Sequence, residues 1–140
     1  MKYSHKLSDA VHILAFVEIF PTTASSAEIA ASIEANPSLV RRLMALLSKA
    51  ALLSTHPGVG GAKLAKPADQ ITLLDVYRAI DDNQQLLHVD PKTNLACPVG
   101  ANIQATLDGV YAQVQQAAEA EMATITLATI IQELRQRAAQ

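Results

Sequence analysis

At 140 residues and 50% hydrophobic content, the chain can bury one good core, and its length favours a single compact unit with at most an appended element. Aromatics make up only 4% and tryptophan is absent, so the core must come from Ala, Leu, Ile and Val, which suits close-packed helices and argues against an all-β protein. The net charge of −2 hides an asymmetry: residues 1–67 carry seven Lys or Arg against four Asp or Glu, a net +3, and residues 68–140 carry four against nine, a net −5. The basic half can face phosphates while the acidic half faces away.

Helical spacing of Leu7, Ala10, Val11, Leu14 and Val17, stopped by Pro21, predicts a first helix from about Leu7 to Phe20. Ser25-Ser26-Ala27-Glu28 is a capping-box sequence that starts a second helix with Ile29, Ala30 and Ile33 inward. Asn36-Pro37 then caps and opens a third after a turn of about three residues. Two short helices joined this tightly match a helix-turn-helix, whose second helix enters the major groove by its N-terminal end. In that third helix Val40, Leu43 and Leu47 form the packing face, and Ser38, Arg41, Ala45, Ser48 and Lys49 lie largely on the other side.

Leu52–Thr55 and Lys63–Lys66 read as two short strands around the glycine-rich stretch His56-Pro57-Gly58-Val59-Gly60-Gly61, with Gly60 and Gly61 supplying positive φ. A fourth helix, capped by Thr72 and ending at Ile80, turns Leu73, Val76, Tyr77 and Ile80 inward. Residues 82–100 read as an exposed loop. Beyond it Ile103, Leu107, Val110, Val114 and Ala117 recur at alternating four- and three-residue steps, a seam suited to a partner helix in another subunit or to an intramolecular hairpin. Ile125, Leu127, Ile130, Ile131 and Leu134 form a last helix.

The fold expected is mainly α: a winged helix-turn-helix of three helices and a two-stranded β wing, with a long C-terminal dimerisation helix. The divisions expected are a DNA-binding domain over 1–81, a linker loop over 82–100 and a helical dimerisation region over 101–140. No apolar run approaches the roughly 20 residues that span a bilayer, and residues 1–6 lack the apolar core of a signal peptide, so a cytoplasmic protein with no membrane partner is expected. The lone Cys97 fits a reducing compartment. His5, His12, His56 and His88 show no metal-ligand spacing, no phosphate-cradling loop or Gly-x-Ser-x-Gly occurs, and Asp81-Asp82 has no general-acid partner, so an enzyme is not expected.

Taken in order and spacing, Ser25–Ala30, Asn36–Leu43, Gly58–Ala65 and Ile71–Ile80 make the chain resemble the Rrf2 family of winged-helix transcriptional regulators over nearly its whole length. That resemblance implies a homodimer whose third helices enter successive major grooves of a palindromic operator in double-stranded DNA. Matched by position, Asn36, Ser38 and Arg41, with Arg42 next, would face base edges or phosphates, and Lys2, Lys6, Lys63 and Lys66 would position the protein on phosphates. His56, Gly60 and Gly61 fall in the wing, where Pro57 stands at a position that can carry a groove-reaching Arg. Cluster-bearing members hold an iron-sulfur cluster with three grouped cysteines and a further ligand. Here only Cys97 is present, and Gly100 stands where a nearby ligand His is sought, so no cofactor is expected and the resemblance is to the clusterless, YwnA-like branch.

Cys97, just before the long helix, is a candidate redox-sensing thiol through the helix dipole, or else a small packed hydrophobe. The function expected is a DNA-binding regulator, a repressor by preference, with its effector unnamed. The alternative is a winged-helix protein-interaction adaptor that no longer meets DNA.

Overall fold

A computed structural model describes residues 4–22, 24–55, 61–80 and 85–140. Among these, six α-helices and one two-stranded antiparallel sheet follow in the order α1 (Lys6–Ile19), α2 (Ser26–Ile33), α3 (Pro37–Lys49), β1 (Leu53–Thr55), β2 (Ala62–Leu64), α4 (Leu73–Ile80), α5 (Pro98–Met122) and α6 (Leu127–Ala138). A single 3-10 turn, Ala68–Gln70, precedes α4. This is the mainly helical winged helix-turn-helix that the sequence predicts.

Helix α1 is the centre of the molecule. Ala10, Leu14 and Val17 are buried as their spacing implies, and Ile13 and Ala15 are buried as well. The stripe widens because α3, α4, α6 and β2 all pack on this one helix, so more than one side of it leaves water. The helix-turn-helix is built by its caps. Ser25 Oγ accepts the Glu28 amide at 3.1 Å, and Asn36 Oδ1 accepts the Ser38 amide at 2.7 Å with Pro37 at the first helical position. Between them Glu34 turns the chain at φ +61°, a left-handed conformation that a residue with a Cβ adopts at a cost.

The end of α3 is a Schellman turn. Leu52 N–H donates to Leu47 O and Ala51 N–H to Ser48 O, both at 3.0 Å, with Ala51 at φ +61°. That turn aims β1 back along the body, where it pairs with β2 in the register Leu53 to Leu64, Ser54 to Lys63 and Thr55 to Ala62. The pairing therefore starts one residue later in the first strand, and one earlier in the second, than the sequence predicts. Leu53 and Ala62 point into the core, and Gly61 at φ +76° lies against the backbone of Pro21 and Ala24. The base of the wing is thereby sewn to the loop between α1 and α2.

Thr72 and Asp75 cap α4 reciprocally: Thr72 N–H donates to Asp75 Oδ2 at 2.9 Å and Asp75 N–H to Thr72 Oγ1 at 3.1 Å. The expected loop over 82–100 yields its last three residues to α5, because Pro98 is well suited to a first helical position. At the far end of α5 the chain turns and α6 returns to the same body. Leu73 N–H donates to Ile125 O and Leu127 N–H to Ile71 O, both at 2.8 Å, and Leu127 and Ile131 join the core around α1. Leu127 and Ile131 of α6 thus share one core with the winged head.

Candidate nucleic-acid interface

The first turns of α3 gather four of the residues that the sequence singles out. Because Asn36 Oδ1 is taken by the Ser38 amide, the side chain offers its Nδ2 group to a base edge or a phosphate. Ser38, Arg41 and Arg42 are exposed, and Arg41 Nη2 donates to Ser38 Oγ at 3.3 Å. At about 100° per residue, these three share one side of α3 with Ala45 and Lys49, opposite the buried Val40, Leu43 and Leu47. The arrangement presents two guanidinium groups and the positive end of a helix to solvent, a combination suited to guanine edges and phosphate oxygens.

Lys6 is exposed at the start of α1. Lys63, the middle residue of β2, is exposed while its neighbours Ala62 and Leu64 turn toward the core, as strand alternation requires. Gly61 serves the wing's geometry: its positive φ and its approach to Pro21 and Ala24 explain the glycine without any ligand. Lys2, His56 and Gly60 lie outside the described residues.

The expected seam on α5 is open along this chain. Ile103 and Leu107 are half-buried, Val110 is 47% and Val114 44% exposed, and Ala117 is exposed too. Cys97, half-buried, occupies the N-cap of α5, where the amides of Gly100 and then Val99 lower its thiol pKa and partial burial opposes them weakly. The residue that sequence reasoning missed is Gln115, which is buried in α5 and bonded to Tyr77 of α4. Its one sequence signal is a position three turns beyond Gln104 on the same side of a long helix.

A helix-turn-helix with a basic, exposed face on its second helix, followed by a two-stranded wing, defines a winged-helix DNA-binding regulator. A family model described as an iron-dependent transcriptional regulator, Rrf2, matches residues 3–133. YwnA of Bacillus subtilis, provisionally named an HTH-type transcriptional regulator, is 41% identical over 129 residues, covering 92% of this chain and 96% of that one. A solved crystal structure of a provisionally assigned DNA-binding protein is 41% identical, with a TM-score of 0.73 over 90% of this chain and 98% of the other. A provisionally assigned transcriptional regulator from Lactobacillus plantarum shares the fold, with a TM-score of 0.76 at 24% identity over 94% of this chain and 90% of the other. The chain belongs to the Rrf2 family: it is a DNA-binding transcriptional regulator and not an enzyme.

The family includes iron-sulfur-sensing regulators, and the residues here do not fit such a cluster. The chain has one thiolate where clusters take four protein ligands, and among the described residues no three His, Cys, Asp or Glu side chains come together. Position 100 cannot supply a ligand in this loop geometry, because a Cβ on Gly100 would collide with the Asn94 carbonyl oxygen.

Proposed function

We propose that the regulator acts as a homodimer that binds a palindromic operator and represses the genes behind it, with α3 of each protomer in successive major grooves. The observation that carries this reading is α5: 25 residues bearing an apolar seam, with Val110 and Val114 nearly half-exposed and Gln115 as its buried residue. A helix about 37 Å long at 1.5 Å per residue that leaves such a seam uncovered by its own chain takes it out of water only against a partner, and heptad-like steps suit a second copy of the same helix. Two heads held about 34–36 Å apart would meet grooves one turn apart on the same side of the duplex.

In this reading Arg41 and Arg42 read or grip the groove, Asn36 and Ser38 add polar contacts, and Lys2, Lys6, Lys63 and the wing residues His56, Gly60 and Gly61 position the head on the backbone. Double-stranded DNA and a second protomer are the partners, and the cytoplasm is where they would meet. Cys97, at the junction of loop and dimer helix, is where a thiol-reactive signal would enter.

The test is to measure the mass of the purified protein in solution and titrate the duplex upstream of its own gene against a scrambled one across salt. A dimer that binds the first selectively, and less tightly as salt rises, is the expected result. A dimer that ignores every duplex would favour the protein-interaction adaptor, and a monomer would remove the role given to α5.

A further inference from the structure

Among the described residues, a polar cluster ties helix α5 to the winged head. Gln115 is 7% exposed, the one buried residue on α5 among the described residues. Its Nε2 donates to Tyr77 Oη at 2.8 Å and to Glu119 Oε2 at 3.0 Å, while its Oε1 accepts the Leu86 amide at 3.0 Å. Glu119 in turn takes Arg78 Nη2 on Oε1 at 3.3 Å. One glutamine therefore joins three parts of the chain: α4 of the head, the loop after it, and α5 itself.

Hydrogen bonds are directional and apolar contact is not, so a helix seated only on aliphatic side chains can roll or slide at small cost. A buried carboxamide loses its partners when it moves, and that loss is expensive. The cluster also leaves the seam clear. Gln115 lies roughly 100° around α5 from the line through Ile103, Leu107, Val110 and Val114, so one side of the helix grips its own head while the adjoining side is offered elsewhere.

We infer that the Gln115–Tyr77 contact fixes the angle between the reading head and the long helix, making these two residues determinants of the half-site spacing that the dimer accepts. The inference rests on the dimeric DNA-binding reading above. Each base pair added between half-sites turns the second by about 35° and moves it about 3.4 Å, so spacing reports the angle between the heads. Gln115 and Tyr77 are positioning residues and touch no DNA.

The test uses full-length protein. An operator is first selected with the wild type from random duplexes, and its two half-sites are then separated by spacers up to two base pairs shorter or longer. Affinities are measured for the wild type, Tyr77→Phe, and Tyr77→Phe combined with Gln115→Leu, which replaces both partners by apolar groups of similar shape and is expected to keep the fold. The expected result is a sharp wild-type optimum. In the variants, still dimeric and equally tight on a single half-site, the ratio between best and neighbouring spacers falls by roughly three- to tenfold, the equivalent of one neutral hydrogen bond. Folded dimeric variants that keep the wild-type spacing profile would overturn the inference and leave the DNA reading standing. A wild type that selects no duplex would overturn both.

Discussion

Ser38 holds the Arg41 guanidinium across one turn of α3, with Nη2 3.3 Å from Oγ on the exposed side of the helix. The bond is long, neutral on one side and open to water, so it steadies Arg41 without tying it down. Arg41→Ala should therefore cost little stability, within about 0.5 kcal/mol by urea denaturation, and about 1–3 kcal/mol of operator affinity. The pattern across operator variants assigns the contact. Relaxed discrimination at one base pair marks an arginine on a base edge, and a uniform loss with a salt slope smaller by about one marks a phosphate. Unchanged affinity would remove Arg41 from the interface.

Asn36 has a structural duty as well as the proposed contact. Asn36→Ala removes the cap on α3 and should destabilise the protein by about 1 kcal/mol, whereas Asn36→Ser keeps a capping oxygen and should be close to neutral. Comparing the two on the operator separates the roles. If Asn36→Ser folds normally and still loses affinity, the carboxamide itself meets DNA. If it binds as the wild type does, the residue serves the helix alone.

Ala51 holds φ +61° at the Schellman turn that ends α3, a place where the missing Cβ of glycine relieves strain. Ala51→Gly should stabilise the protein by about 0.5–1 kcal/mol, since relief of the left-handed conformation outweighs the extra chain entropy of glycine. Urea denaturation checks it. A loss of stability would mean that the turn is held by more than its two backbone bonds.

Much of this was legible in the sequence because it is local. Ser25, Asn36-Pro37 and Thr72 are caps whose partners lie within three residues, so each fixes a helix start without help from the rest of the chain. The limits of the wing strands differ from the expected ones by one or two residues because three-residue strands carry too little alternation to mark their ends, and the Schellman turn at Ala51 carries no glycine to announce itself. The extra burial on α1 and the Gln115 contact were hidden for another reason. Both depend on which distant helices arrive at one place, and Gln115 lies 38 residues from Tyr77. Periodicity marks a line of apolar residues on α5 and has no means of saying what the neighbouring side of the helix grips.

Leu127, 2% exposed, belongs to the same core as α1, which makes α6 part of the head's cooperative unit. Leu127→Ala should cost about 2–5 kcal/mol and lower the midpoint of a single unfolding transition. Two separated transitions would show α6 to be an independent appendage.

The backbone amides of Gly100 and then Val99, in the first turn of α5, favour the Cys97 thiolate, so the thiol titrates below its ordinary value in the folded chain. The thiolate is the nucleophile, so alkylation by iodoacetamide rises with pH through the thiol pKa. Its midpoint should come at lower pH in the folded protein than in the same chain unfolded in urea. Gly100→Ala tests the cause, because a Cβ there collides with the Asn94 carbonyl and must displace the turn that presents the amides. The variant's midpoint should move back up toward the unfolded value, with Cys97→Ser as the unreactive control. Equal midpoints in the folded and unfolded wild type would show that the amides do not act on the sulfur, and would take away the physical basis for a sensing thiol at the head of α5.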